Sequence, residues 1–429
     1  MSPVIELGEM RHGEELDPPS DPGRPPGRAM RAAALVVAVL LTLAGSAAGP
    51  TRERQVAVPA PQGATFLLVA DRLVVADGPG TVGSGGRLVT GHRLPGGEPL
   101  WRFTLPAGDH VLGLSTVAGA LLVTSSPAGA GDTISTALDV DTGAVRWRQP
   151  GYPVPTQSGT VLFETPRADG TGTIRSVDPV SGRPRWSLPL PGNGVAYRVG
   201  DRGVAEIVLV TAAGRVEIHD AGSGVLLRAG RVPPAADRVS YRFTQVVGDL
   251  LLVDGAPGTV TAYGLDRLDR RWSVPVEPRA AAWFADCAGV VCQRDQVAVG
   301  VRAIDPATGR LLWRDDRWLG VSPVGDRLLA AAPAVGLELE LAMLDPGTGG
   351  VVARLGRWRL SGGDRYQPRL LGLRRLSGDR TLVADLDVRA GEARVRAVLP
   401  GSWDDCAVGP GALVCLRTAG GLAVWPADR

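Results

Sequence analysis

Residue types that carry catalysis or bind metals are few in this chain and widely spaced. The four histidines, His12, His92, His110 and His219, show no metal-binding spacing, and none of the 46 basic residues is a lysine. Without lysine, a lysine-containing phosphate-binding loop and Schiff-base chemistry are excluded. No Gly-x-Ser-x-Gly nucleophile motif occurs. The sequence therefore predicts no catalytic site and no metal site.

The four cysteines form two close pairs, Cys287 with Cys292 and Cys406 with Cys415. Each pair begins Asp-Cys-Ala and follows shortly after a tryptophan. We interpret the pairs as two local disulfides, each joining adjacent strands in an oxidising compartment. Buried free thiols are the alternative. A zinc site is disfavoured because neither spacing matches a Cys-x-x-Cys knuckle.

Two other motifs are more consistent with turns than with ligand sites. Gly78 to Gly83 matches Gly-x-Gly-x-x-Gly, but no helical sequence follows to hold a dinucleotide phosphate. Asp139 to Gly143 begins like a calcium loop and lacks the downstream glutamate, which favours a β-turn. A glycosidase that uses two paired carboxylates remains an alternative, if the fold brings two acidic side chains together in a central channel.

A repeated hairpin sets the elements that would position any functional residue. In Ala303–Trp313 (AIDPATGRLLW), Pro306 and Gly309 supply turn chemistry between two short apolar runs. With Asp305 as the anchor, a glycine follows four residues later and a tryptophan eight residues later. This pattern predicts a β-hairpin.

The hairpin recurs about every 40 residues, a spacing typical of four-stranded propeller blades. The anchors are Arg93, Asp139, Asp178, Asp220, Gly264, Asp305, Asp345 and Asp387. Five repeats carry the tryptophan, as Trp101, Trp147, Trp186, Trp272 and Trp313, whereas the Asp220 repeat lacks it and the Gly264 repeat lacks the glycine. Each repeat also supplies two apolar strands before its anchor. Such blades must stack around an axis to bury both faces.

The fold class is therefore predicted to be all-β, a β-propeller of four-stranded antiparallel blades preceded by one N-terminal transmembrane helix. The last repeat, from Trp403 to Trp425, lacks its outer strand, so we expect Val56–Pro59 to close the ring. We expect eight blades, with seven possible, and expect the Arg93 or the Asp387 repeat to be irregular or merged.

The N-terminal region predicts a membrane anchor. Residues 1–31 are polar and proline-rich and should form a disordered cytoplasmic tail, and residues 32–48 form an apolar run for a single-pass anchor. Residues 49–62 would form a linker and residues 63–429 the propeller. The arginines before the apolar run place the propeller outside the cytoplasm, at the cell membrane. A signal peptide cleaved near Ser46-Ala47-Ala48 is the alternative.

The hairpin A-x-D-x-x-T-G-x-x-x-W resembles the repeat of the PQQ-binding-like β-propellers, a superfamily with quinoprotein alcohol dehydrogenases and BamB-type outer-membrane assembly factors. The resemblance implies that Trp101, Trp147, Trp186, Trp272 and Trp313 pack between adjacent blades as structural residues. Cofactor-using members need a calcium site of Glu, Asn and Asp and an adjacent Cys-Cys pair. This chain has no adjacent cysteines and one asparagine, Asn193, so no cofactor is predicted.

We therefore expect a non-enzymatic, monomeric scaffold that binds a protein or a cell-envelope polymer. A net charge of +2 with interspersed charges indicates no nucleic-acid surface. A quinoprotein-like dehydrogenase, a hydrolase using funnel carboxylates and a membrane-anchored sensor are the alternatives. Trp318, Trp358 and Trp425 lie outside the repeat register, and surface contacts are a weak alternative for them.

Overall fold

The computed structural model describes residues 55–78, 86–127, 133–167, 170–191, 194–234, 243–254, 258–275, 283–294, 299–361 and 370–426. The predicted tail (1–31), the predicted anchor (32–48), most of the Gly78–Gly83 motif and Asn193 lie outside these residues. No helix within the described ranges is long and apolar enough to cross a membrane. The regular structure of these ranges consists of β-strands, as the repeat predicts.

The first three repeats each form one antiparallel sheet whose strands lie side by side in chain order. We number the repeat units in the order of their anchors. Unit 1 contains β2 (Thr65–Val69), β3 (Arg72–Ala76), β4 (Leu88–Arg93) and β5 (Pro99–Thr104). Unit 2 contains β6 (His110–Val117), β7 (Ala120–Ser126), β8 (Ile134–Leu138) and β9 (Val145–Pro150). Unit 3 contains β10 (Pro153–Pro155), β11 (Val161–Pro166), β12 (Thr171–Val177) and β13 (Pro184–Pro191).

The next three repeats form three further sheets with the same strand order. Unit 4 contains β14 (Val195–Gly200), β15 (Gly203–Val210), β16 (Arg215–Asp220) and β17 (Leu226–Arg231). Unit 5 contains β18 (Thr244–Val247), β19 (Leu250–Asp254), β20 (Thr259–Gly264) and β21 (Arg270–Pro275). Unit 6 contains β22 (Trp283–Asp286), β23 (Val291–Arg294), β24 (Val301–Ile304) and β25 (Leu311–Asp315).

Units 7 and 8 merge into one seven-stranded sheet. Its strands are β26 (Gly320–Val324), β27 (Arg327–Pro333), β28 (Leu339–Leu344), β29 (Val351–Ser361), β30 (Leu370–Leu376), β31 (Arg380–Asp387) and β32 (Glu392–Pro400). The long strand β29 pairs with β28 through its first eight residues and with β30 through Arg359–Ser361. It therefore serves as the outer strand of unit 7 and the inner strand of unit 8. Of the two repeats expected to be irregular, the Asp387 repeat is the merged one and the Arg93 repeat is regular.

The last sheet joins the two ends of the described chain. Unit 9 contains β33 (Trp403–Gly409), β34 (Ala412–Arg417) and β35 (Leu422–Pro426), and its fourth strand is β1 (Val56–Val58). Strand β1 pairs antiparallel with β35, so that Val56 lies opposite Val424. The inner strand β2 contacts both β6 and β33. Units 9, 1 and 2 are thus consecutive, and the described chain forms eight hydrogen-bonded sheets in the arrangement of a propeller.

The middle strands form the core because they are apolar on both faces. Ala120 to Ser125 of β7 are all buried, since unit 2 is packed between two neighbouring sheets. The tryptophans outside the repeat register belong to the same core. Trp318, Trp358 and Trp425 are 2%, 3% and 6% exposed, so the weak alternative that they make surface contacts does not hold.

Both predicted cysteine pairs form disulfides, Cys287–Cys292 and Cys406–Cys415. The first closes the turn between β22 and β23, and the second links directly opposed residues of β33 and β34. Each disulfide joins neighbouring strands of one sheet, as the short spacings predict.

Candidate binding site between two repeat units

The anchor aspartate organises its own turn through its side chain. Asp139 Oδ1 accepts hydrogen bonds from the amide of Asp141 and from the amide and hydroxyl of Thr142. Arg146 Nη2 lies 2.5 Å from Asp139 Oδ2. The Arg146 guanidinium and the Thr142 donors lower the pKa of Asp139 to about 2. The turn is thus held in one shape that presents its backbone to the preceding unit.

We call the contact between the outer strand of one unit and the anchor turn of the next a seam, and a regular seam contains a tryptophan. Trp147 Nε1 donates a hydrogen bond of 2.9 Å to the Pro179 carbonyl, and its ring covers Gly182. A β-carbon on Gly182 would lie 2.4 Å from the ring, and φ is +70° there. Only glycine meets both conditions. The same contacts join Trp101 to Val140 and Gly143, Trp186 to Gly222 and Gly224, Trp272 to Pro306 and Gly309, and Trp313 to Pro346 and Gly349.

Two other seams keep the glycine and use a smaller partner. Ala353 takes the tryptophan position of unit 7, and its β-carbon lies against Gly391. In unit 9 the closing strand places Val56 and Val58 against Gly97. Aliphatic side chains can therefore replace the tryptophan while the close approach of the two units is kept.

The seam between units 4 and 5 is built differently. Arg228 takes the tryptophan position, opposite Ile218, and Leu268 takes the position of the turn glycine. Leu268 keeps the positive φ of that position, +56°, and its side chain lies where a β-carbon on Gly230 would be. The large side chain thus comes from the turn and the glycine from the strand, the reverse of a regular seam.

The Arg228 side chain points away from this seam and joins a series of ion pairs. Its Nη2 donates a 2.9 Å hydrogen bond to Glu206 Oε1, whose other oxygen lies 3.8 Å from Arg198 Nη1. Arg198 Nη2 in turn lies 2.5 Å from Asp249 Oδ1, in the next unit. An ion-pair chain therefore links the two units across this seam, through Arg198 and Asp249.

A groove of about 600 Å³ opens beside this seam, at the anchor-turn ends of units 4, 5 and 6. Its apolar floor contains Val247, Leu250, Leu265, Val290 and Val291. Its charged rim has equal numbers of each sign, and the rim residues are Arg198, Arg228, Arg271, Asp249, Asp266 and Asp286. We call this feature the seam groove.

The Cys287–Cys292 disulfide supports one wall of the seam groove. Asp286, Gly289, Val290 and Val291 line the groove and belong to the hairpin that this disulfide closes. The Asp286 carboxylate accepts a hydrogen bond from the Gly289 amide and has no ion-pair partner among the described residues. It is therefore available to a cationic group of a ligand.

The sequence-predicted site residues are not gathered into one place. The five repeat tryptophans lie at five seams, and the disulfides belong to units 6 and 9. His92, His110 and His219 lie in three different units. The seam groove was missed, although two consecutive irregularities marked it: unit 4 lacks the tryptophan, and unit 5 lacks the glycine that would receive it.

The described residues do not match the donor set of a quinone site. They contain no group of three His, Cys, Asp or Glu side chains that could hold a metal ion. The cysteines are paired within separate hairpins, and none adjoins another in sequence. No step of a quinone-dependent reaction can be derived from these residues.

The sheets, their order and the closing strand define a β-propeller. Residues 84–266 match the family model described as Outer membrane protein assembly factor BamB. Over these residues the chain is similar to PQQ-like β-propeller repeats. A search of curated proteins finds no match.

The chain is also similar, at low sequence identity, to several solved structures. BamB from Moraxella catarrhalis has 15% identity and a TM-score of 0.42, covering 87% of this chain and 98% of its own. The computationally designed Ika8 protein has 15% identity and a TM-score of 0.46, covering 75% and 97%. The C-terminal WD40 domain of Sif2 has 10% identity and a TM-score of 0.41, covering 87% and 97%.

Proposed function

We propose that this chain is a non-enzymatic propeller that binds a partner protein of the cell envelope through the seam groove. The observation that carries the proposal is the reversed seam between units 4 and 5. Five seams are filled by a buried or half-buried indole, whereas this one opens into a groove with a charged rim. Docking side chains fill the five regular seams, whereas the irregular seam leaves room for a site added to the fold.

The composition of the seam groove favours a protein partner. Protein interfaces combine an apolar centre with a polar rim that carries both signs of charge. The groove has three arginines and three aspartates around an aliphatic floor. A polyanionic polymer would gain no net attraction there, because the three aspartates offset the three arginines. The family description, an assembly factor, is also consistent with binding to proteins.

We propose that the propeller lies outside the cytoplasm and is attached to the membrane through residues 32–48. Two disulfides that each close a short hairpin support an oxidising compartment. The apolar run and its preceding arginines support the orientation. Protease added to cells with a permeabilised outer envelope and an intact cytoplasmic membrane should digest the propeller. Protection of the propeller in such cells would contradict this location.

The seam groove is tested by restoring the regular seam. The double variant Arg228→Trp with Leu268→Gly supplies the indole and the glycine that other seams have. We expect it to fold and to lose capture of the envelope proteins that the wild-type full chain retains. Arg148→Trp, at an exposed outer-strand position of unit 2, is the matched control and should retain them. Equal capture by the repaired variant would contradict the proposal.

The enzymatic alternative is tested by titrating the full chain with PQQ and calcium ions in a calorimeter. A non-enzymatic binding protein should give no saturable heat. Tight, saturable binding would overturn the proposal and favour the quinoprotein-like alternative.

A further inference from the structure

A second surface lies at the opposite ends of the strands, where units 7, 8 and 9 meet. A cavity of about 610 Å³ is formed there by the β27–β28 loop, the end of β29 and the start of β33. In β29, Val351 pairs with Leu344 beside the anchor turn, whereas Trp358 pairs with Leu339 at the far end. The cavity is therefore at the end of the sheets remote from the seam groove. We call it the arginine pocket.

The loop beside the arginine pocket exposes two large aliphatic side chains. Val335 and Leu337 are 74% and 76% exposed, the highest values among the large apolar side chains of the described residues. The loop is nevertheless closed by its own backbone: the Ala334 amide donates to Glu338 O, and the Glu338 amide donates to Val335 O. Two apolar side chains on a closed loop form a small, preorganised apolar surface.

The arginine pocket carries an excess of positive charge. It is lined by Arg357, Arg359 and Arg375 against Glu338 and Asp404. Only Arg359 lies within ion-pair distance of one of these acids, at 3.4 Å from Asp404. Arg357 and Arg375 have no carboxylate partner among the described residues, and Arg375 donates a 3.0 Å hydrogen bond to the Ser402 hydroxyl.

Two neighbouring arginines add to the positive charge around the arginine pocket. Arg417 lies over the ring of Trp403 at 5.0 Å, and Arg374 lies over the ring of Trp358 at 4.0 Å. Stacking on an indole orients a guanidinium without neutralising its charge. The unmatched cations of this end are thus fixed in position beside the exposed aliphatic loop.

We propose that the arginine pocket binds an extended segment of a partner protein in which acidic residues flank aliphatic ones. Guanidinium groups bind carboxylates through paired, charge-assisted hydrogen bonds. Arg357 and Arg375 supply the free donors, while Val335 and Leu337 contact the aliphatic side chains of the segment. The seam groove balances its charges, so it fits a segment of mixed charge, and the two surfaces differ in the ligands they select.

This inference rests on the proposed function only in that both require a protein ligand. The probe is a labelled, unstructured peptide in which glutamates flank two leucines, added to the full chain and followed by fluorescence anisotropy. We expect saturable binding that weakens with added salt. Arg357→Glu combined with Arg375→Glu should weaken it at least about tenfold, because it reverses two unmatched charges. Leu337→Asp should also weaken it.

The controls separate local effects from general ones. Arg148→Glu and Val395→Asp, at exposed positions on other outer strands, should leave the affinity unchanged. A peptide with glutamine in place of glutamate should bind at least about tenfold more weakly. Equal binding of that peptide, or no effect of the double arginine variant, would overturn the inference. So would inorganic polyphosphate displacing the peptide with higher affinity, since the pocket would then be a phosphate site.

Failure here and failure of the proposed function have different signatures. If the peptide does not bind while the seam-repair variant still loses its envelope partner, the arginine pocket is wrong and the proposed function stands. If the peptide binds while seam repair changes nothing, the seam groove is wrong and the arginine pocket stands.

Discussion

Trp147 shows how one side chain holds two units together. It is 8% exposed, donates to the Pro179 carbonyl and meets Phe163 edge-on at 6.0 Å between ring centres. We expect Trp147→Ala to lower the free energy of unfolding by about 3–5 kcal/mol, through lost burial and the resulting cavity. Urea unfolding followed by circular dichroism measures the loss. Trp283→Ala, at a position 44% exposed, should cost less than about 1 kcal/mol.

The close contact between the anchor-turn glycine and the tryptophan can be tested separately from the backbone conformation of that glycine. Gly349 and Gly411 have φ of +70° and +72°, but a β-carbon at Gly349 would lie 2.6 Å from Trp313 and one at Gly411 would meet nothing. Both alanine variants should lose about 1–2 kcal/mol to the left-handed backbone. Gly349→Ala should lose a further 1–3 kcal/mol or so, because the indole must move. Equal losses in urea unfolding would contradict the docking role.

The anchor aspartates make stability depend on pH in the acid range. Hydrogen bonds from Arg146 and Thr142 lower the pKa of Asp139 from 3.8 to about 2 in the folded chain. Between these values the unfolded chain binds more protons, so stability is full above about pH 4 and falls as the pH approaches about 2. Asp139→Asn should reduce the fall in urea midpoint between about pH 5 and pH 2.5. Asp201→Asn, at an exposed turn, should leave it unchanged.

The register of the anchor turn could be predicted from the sequence because its residues act locally. Asp and Gly occupy fixed positions because the turn geometry needs them, and the tryptophan is recognised by its constant spacing from them. The seam groove could not be derived in the same way. The sequence shows that Arg228 stands where a regular repeat has tryptophan and that Leu268 stands where it has glycine. They do not show that the arginine turns to Glu206 or that Leu268 packs on Gly230.

Among the elements, the strand β1 has a role far greater than its three residues suggest. Val58 is buried and pairs with Leu422, whereas Ala57 between its neighbours is exposed. Val58→Asp should lower the free energy of unfolding by at least about 3 kcal/mol, because it places an unpaired charge against Gly97 and β35. Ala57→Asp on the same strand should change it by less than about 0.5 kcal/mol. Comparable losses would show that β1 does not close the ring.

The hairpins of units 6 and 9 depend on their disulfides to different extents. Cys406 and Cys415 are fully buried beside Trp403 and Trp425, and their sequence separation is 9 residues. Cys406→Ala with Cys415→Ala should cost about 2–3 kcal/mol from loop-closure entropy. The matched pair Cys287→Ala with Cys292→Ala should cost slightly less, because its loop is shorter. Urea midpoints under non-reducing conditions measure both.

The merging of units 7 and 8 was only partly predictable. The sequence indicates one irregular or merged unit, the Arg93 or the Asp387 repeat, because eight anchors and the partial last repeat exceed the eight blades expected. It does not mark β29 as one strand, since Gly356 lies in its middle and would suggest a break. The structure accommodates Gly356 at φ +84°, and Trp358, two residues later, is buried in the core. A bulged, continuous strand thus replaces the turn that separates other units.

For the molecule as a whole, stability around the ring should be uneven. Nine units close through β1, and their contacts are between neighbours, so each seam contributes separately. The seam between units 4 and 5 has no indole, and the four residues from Leu226 to Ala229 on its outer strand are all exposed. The ion-pair chain that crosses it is partly solvated and contributes little to stability. This seam should therefore open more often than its neighbours.

Hydrogen exchange measured by mass spectrometry tests that expectation on the intact chain. Amides of β17 should exchange faster than those of β21, whose Trp272 is docked on Gly309. The variant Arg228→Trp with Leu268→Gly should slow exchange in β17, because it adds an indole and relieves a leucine at positive φ. We expect it to raise the free energy of unfolding by about 1–2 kcal/mol. Fast exchange that persists in the repaired variant would mean that the outer edge of β17, and not the missing indole, sets the local stability.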